Sequence, residues 1–128
     1  MYKRQARRFE CGSPNLLGAH ALEASLSLLE DVGLDEVSRR VLNNSSYLIE
    51  KIEESEELEL LTPSGDGRYG GIVTFRHRVA GAQAVYRSLM AAGVMCAQRA
   101  GGIRLSPHFY TPREHLDRAL AMVCEFGR

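Results

Sequence analysis

Apolar residues recur along the chain with two different periods, and the switches between them mark eight elements. Between Ser13-Pro14-Asn15 and Gly33, Leu17, Ala21, Ala24 and Leu28, with Leu22 and Leu29 beside them, recur at helical spacing. Ser13 is predicted to cap this helix and Pro14 to take its first position, where a missing N–H costs nothing. Gly33 is predicted to stop it in a left-handed conformation. A second helix is predicted over residues 35–54. Val37, Val41, Leu48 and Ile52, with Leu42 and Ile49, form one stripe, and Arg39, Arg40, Glu50, Lys51 and Glu54 lie largely off it. Residues 58–61 make a short strand candidate, ended by the loop sequence Thr62-Pro63-Ser64-Gly65-Asp66-Gly67.

The period then shortens. Ile72, Val73, Thr74 and Phe75 make residues 71–77 a strand. Residues 80–92 form a third helix with Ala82, Val85, Tyr86 and Leu89 inward, closing at Gly93. Residues 94–98 and 103–106 are two strands joined by a turn at Ala100-Gly101-Gly102. Thr111-Pro112-Arg113-Glu114 matches a capping box at the start of the last helix, whose inward set is Leu116, Ala119, Leu120 and Val123. The order α-α-β-β-α-β-β-α predicts an α+β fold: a small, largely antiparallel sheet covered by helices on one side. The whole of residues 1–128 is expected to be one domain, with residues 1–8 as a flexible basic leader.

Composition removes some functions. Sixteen basic side chains balance sixteen acidic ones, so nucleic acid is not an expected partner, because phosphate binding needs a net basic surface. Lys3, Arg4, Arg7 and Arg8 form a basic start that could grip a phosphate or membrane surface, but a solvated terminus is the expectation. Glu50, Glu53, Glu54, Glu56, Glu57 and Glu59 form an acidic stretch on the exposed side of a helix and the turn after it. Cys11, Cys96 and Cys124 are odd in number and widely spaced, which gives neither a disulfide framework nor a CxxC metal site. His20, His77, His108 and His115 lack metal-ligand spacing, so no metal is expected. With no apolar leader and no segment of spanning length, a cytoplasmic protein without membrane contact is expected.

Two stretches are unusual for plain structure. Arg8-Phe9-Glu10-Cys11-Gly12-Ser13-Pro14-Asn15 approaches a helix start, where free N–H groups and the Ser13 hydroxyl could hold an anion or simply cap the helix. In Arg99-Ala100-Gly101-Gly102-Ile103-Arg104-Leu105-Ser106-Pro107-His108-Phe109-Tyr110, Arg104 falls in mid-strand. It could present its planar fork to a carboxylate or lie on the solvent face of an edge strand, and the residues alone leave both open.

Together these stretches resemble the C-terminal small domain of class V aminotransferases and cysteine desulfurases. The first is similar to the family's R-F-E-x-G-T-x-N entry to that domain, and Gly-Gly-Ile-Arg-Leu-Ser-Pro-His-Phe-Tyr-Thr to its G-G-x-R-x-S-P-H-x-Y-N-T. The likeness runs from about Arg7 to Val123. It implies that Arg104 holds a substrate α-carboxylate. It implies that Gly12 and Ser13, the latter in place of threonine, reach a pyridoxal-phosphate (PLP) phosphate with Asn15 fixing the turn. His108 and Tyr110 would shape the loop after the arginine strand.

The family tethers PLP to a lysine on a separate large domain upstream, where it acts as an electron sink. This chain has only Lys3, in the leader, and Lys51, on the solvated side of the second helix. No catalytic residue and no cofactor are therefore expected in the chain alone. A desulfurase would also need a reactive cysteine before the arginine, but Cys96 sits in a predicted strand and is expected to be a buried structural thiol. The resemblance implies a detached domain, either an excised fragment or a separately encoded piece that docks on a lysine-bearing large-domain partner; Met1 with its basic leader slightly favours the second, although cloning gives the same start. The alternative is a non-catalytic binding module that keeps the fold. In that module the surface left bare by the large domain would be apolar and exposed, which makes a homo-oligomer an expectation. A stand-alone enzyme using Cys96 or His108 is a third reading.

Overall fold

The computed structural model describes Gly12 and residues 14–126. Its elements are α1 (Leu16–Val32), α2 (Leu34–Glu53), β1 (Leu58–Leu60), β2 (Val73–His77), α3 (Ala82–Ala91), β3 (Ala97–Arg99), β4 (Gly102–Leu105) and α4 (Arg113–Cys124). The order and the α+β class are those expected. Contacts divide the chain into two compact units, one ending at Leu34 and carrying α1, the other beginning at Asp35 and carrying the sheet.

In the first unit the cap differs from expectation. Asn15, not Ser13, is the N-cap of α1: its Oδ1 accepts the Gly18 N–H at 2.9 Å, and Pro14 stands before the helix rather than inside it. Asparagine is as good a cap as serine, and only Asn15 lies three residues from a free donor. Ser13 lies outside the described residues. At the other end Gly33 has φ +88° and donates its N–H to the Leu29 and Glu30 carbonyls, a positive φ that suits glycine.

In the second unit the four strands lie in the order β1-β2-β4-β3, antiparallel throughout. Phe75 faces Leu60 on one side and Ile103 on the other. Ala100 and Gly101, at φ 50° and 75°, join β3 to β4 in a two-residue hairpin whose Arg99 and Gly102 are paired, the geometry that matches strand twist. Alternation along the strands sends Leu58, Val73, Phe75, Ile103 and Leu105 to one face, where they pack with Leu48 and Ile52 of α2, Val85 and Leu89 of α3, and Leu116, Leu120 and Val123 of α4. Each such side chain contributes roughly 1.5–3 kcal/mol of burial. The three helices therefore cover a single face of the sheet.

Three further details depart from the sequence pattern. The buried side of α2 includes Asn44 and Ser45, while Leu42, assigned to the stripe, is exposed. The strand predicted over residues 94–98 shrinks to β3, because Gly93 and Val94 donate to the Met90 and Leu89 carbonyls and so complete the end of α3. The capping box of α4 is not made. Pro112 is the N-cap without a side-chain bond, and Thr111 Oγ1 instead accepts the His108 N–H at 3.0 Å.

Candidate functional site

The sheet face turned away from the three helices carries Glu59, Thr74, Arg76 and Arg104. Arg104 on β4 lies between Thr74 of β2 and Ala97 of β3. Because β4 is paired on both sides, Arg104 is not an edge-strand residue, and that alternative fails on the strand order. Its Nε is buried and has no hydrogen-bond partner. An unpaired buried guanidinium nitrogen costs free energy until an acceptor arrives. The other arginine of this face near the strand centre is already matched: Arg76 makes a fork to Glu59 at 2.8–3.0 Å, and Arg78 lies 3.9 Å from the same carboxylate. Arg99, at the hairpin end of the same face, bonds to the Gln98 carbonyl, so among the described residues Arg104 is the arginine at the centre of this face that has no acid of its own.

Residues 107–111 follow β4 and form a tight loop. Thr111 closes it by donating its N–H to the His108 carbonyl while its hydroxyl accepts the His108 N–H. The His108 ring stacks on Tyr110 with centroids 4.6 Å apart and meets Phe109 at 4.7 Å, and its Nδ1 is buried without a partner. From α2, the Asn44 amide donates to the His108 carbonyl at 3.0 Å and the Thr111 carbonyl at 3.1 Å. Asn44 is the residue that sequence reasoning missed. The signal was a polar side chain at a position of the α2 stripe, since residue 44 falls between Val41 and Leu48.

Gly12 is exposed with φ +74°, Asn15 spends its side chain on the helix cap, and both belong to the other unit. Lys51 donates to Glu54 at 2.7 Å, and that bond raises its pKa. An ammonium held in the protonated state is a poor nucleophile toward an aldehyde. Lys3 and Cys11 lie outside the described residues. Cys96 precedes β3 instead of sitting within it; it is half-buried and free, and burial pushes its thiol pKa up, the opposite of an activated cysteine. Among the described residues no group of His, Cys, Asp and Glu could hold a metal ion, and no helix is long and apolar enough to cross a membrane.

Comparison with known proteins identifies the family of the chain. The family model for class-V aminotransferases matches residues 1–118. The chain is 33% identical over 119 residues to the uncharacterised aminotransferase YcbU of Bacillus subtilis, covering 93% of this chain and 31% of that protein. It is 31% identical over 123 residues to a probable cysteine desulfurase of Halalkalibacterium halodurans, covering 86% of this chain and 30% of the relative. Among solved structures, a mutant of C-DES with glycine covalently linked to its PLP cofactor superposes with a TM-score of 0.83 at 22% identity, over 94% of this chain and 32% of that one. The chain thus spans about a third of the length of the relatives it matches.

Proposed function

Because the chain belongs to the class-V aminotransferase family, we propose that it is the C-terminal domain of a PLP-dependent enzyme, inactive alone, whose Arg104 receives a substrate α-carboxylate once a lysine-bearing domain completes the site. The observation that carries this reading is the buried, partnerless Nε of Arg104 on a strand paired at both sides. A carboxylate is the acceptor whose two oxygens match the guanidinium fork.

The described residues do not by themselves fit PLP. A lysine must reach the aldehyde, and Lys51 is tied to Glu54 on α2. PLP supplies an electron sink wherever it is bound; here its tether has to come from another part of the protein or from a cytoplasmic partner chain. Gly12 and Ser13 would then lie toward the phosphate, with Asn15 keeping the start of α1 in place.

The test is to mix the purified chain with PLP, reduce with borohydride and map modified lysines by mass spectrometry. Absent or scattered labelling is expected. Stoichiometric labelling at Lys3 or Lys51 would show that the chain holds the cofactor unaided and would overturn the proposal. For the role of Arg104, the Arg104→Gln variant of a reconstituted pair should lose most of its kcat/KM, and full activity would remove that residue from the site.

A further inference from the structure

On the helix-covered side of the sheet, a cleft of about 500 Å³ opens between the end of α3, the segment before β3, the end of β4 and the start of α4. It exists because β3 begins late. The β3–β4 ladder ends at the pair Ala97 and Arg104, and among the described residues Met95 and Ser106 make no turn or loop backbone bond. Leu105, Leu116 and Ala119, all buried, give it an apolar floor. Arg118 and His115, one turn apart on α4, stand in its lining together with Ser106. Neither side chain has a hydrogen bond or ion pair among the described residues, and no acidic residue lines the cleft. A volume of several hundred Å³ with an apolar floor and a few convergent polar groups is the form of a small-molecule site. The uncompensated positive charge selects the sign of the ligand.

We propose that this cleft binds a small organic carboxylate with a compact apolar body. The carboxylate pairs with the Arg118 guanidinium and the Ser106 N–H, and the body lies over Leu105, Leu116 and Ala119. The site is separate from that of Arg104. Successive side chains of β4 point to opposite faces, so Leu105 lines the cleft while Arg104 faces away from it. The inference therefore stands whether or not Arg104 serves a PLP enzyme.

The probe is isocaproate, titrated into the isotope-labelled chain and followed by amide chemical shifts, with neutral isocaproamide as its isostere. Saturable shifts at Val94, Met95, Ser106 and Leu116 are expected at millimolar isocaproate. Affinity should fall by about tenfold for the amide and for the Arg118→Gln variant, the loss of one charge-assisted bond. Arg118 is exposed, so its variant should keep a folded spectrum. Binding in the Arg104→Gln variant should be unchanged. Equal binding of acid and amide, an unaltered Arg118→Gln titration, shifts centred on Thr74 and Ala97, or no saturable shift would each overturn the proposal.

Discussion

Two adjacent polar residues of α2 should respond to alanine in opposite directions. Asn44 and Ser45 are both buried, but their side chains meet different fates. The Asn44 amide is bonded to two carbonyls, whereas Ser45 Oγ has no partner. In Asn44→Ala the His108 carbonyl keeps the Thr111 N–H. The Thr111 carbonyl has no backbone donor among the described residues, and it loses its amide partner. An unpaired buried acceptor costs about 1–3 kcal/mol, and the better helix propensity of alanine offsets about 0.5 kcal/mol of it. The net loss is about 1–2 kcal/mol. In Ser45→Ala no bond is lost, so a gain of about 0.5–1 kcal/mol follows from propensity and from removing an unpaired hydroxyl. With a urea m-value of about 1 kcal/mol/M, the midpoint should fall by about 1–2 M for Asn44→Ala and rise by about 0.5–1 M for Ser45→Ala. Asn43→Ala, at an exposed neighbour, measures the propensity effect alone. A midpoint for Asn44→Ala at or above that of Asn43→Ala would refute the assigned tether.

Other positions give independent tests. A Cβ on Gly102 would lie 2.3 Å from the Phe75 carbonyl oxygen and 2.9 Å from Leu61; Gly102→Ala should therefore cost about 2 kcal/mol or more. Gly101→Ala meets open space at φ +75° and should cost about 1 kcal/mol, so thermal melts in the reverse order would contradict the close approach. Thr111→Val should lose about 1 kcal/mol with the acceptor of the His108 N–H, and Thr111→Ser should retain it. Hydrogen bonds from Arg39 and then Arg40 hold the Glu36 pKa down from 4.5 to about 2. A folded-state pKa below the unfolded one contributes stability that is full above pH 4.5 and is lost as pH falls toward 2. Glu36→Gln should flatten that part of the stability profile, which acid titration in urea will show.

The parts of the fold that depend on local pattern were legible in the sequence. α2 and α4 have stripes long enough to fix their phase, and β2 is rich in β-formers bounded by glycine and arginine. What sequence could not supply was competition between partners. Thr111 has the right neighbours for a capping box, yet the His108 N–H, brought close by the loop, takes its hydroxyl. Ser13 was the expected cap of α1, but the cap is set by which side chain meets the Gly18 N–H, and that is Asn15. Val94 has strand propensity but finishes α3. Asn44 interrupts an apolar stripe for a reason 64 residues away. Arg104 stood out in the sequence, but its central place depends on strand order, which is a non-local property.

That central place has a consequence for how long the arginine stays aimed. A side chain carried on a loop is lost to every local opening of that loop, whereas the backbone of Arg104 is held by β2 on one side and β3 on the other. Its orientation then persists until the sheet itself comes apart, and the native-state exchange of its amide should be as slow as that of Phe75 in the core. A ligand arriving at Arg104 meets a donor whose backbone is already ordered, so the entropy of arranging the contact falls chiefly on the ligand.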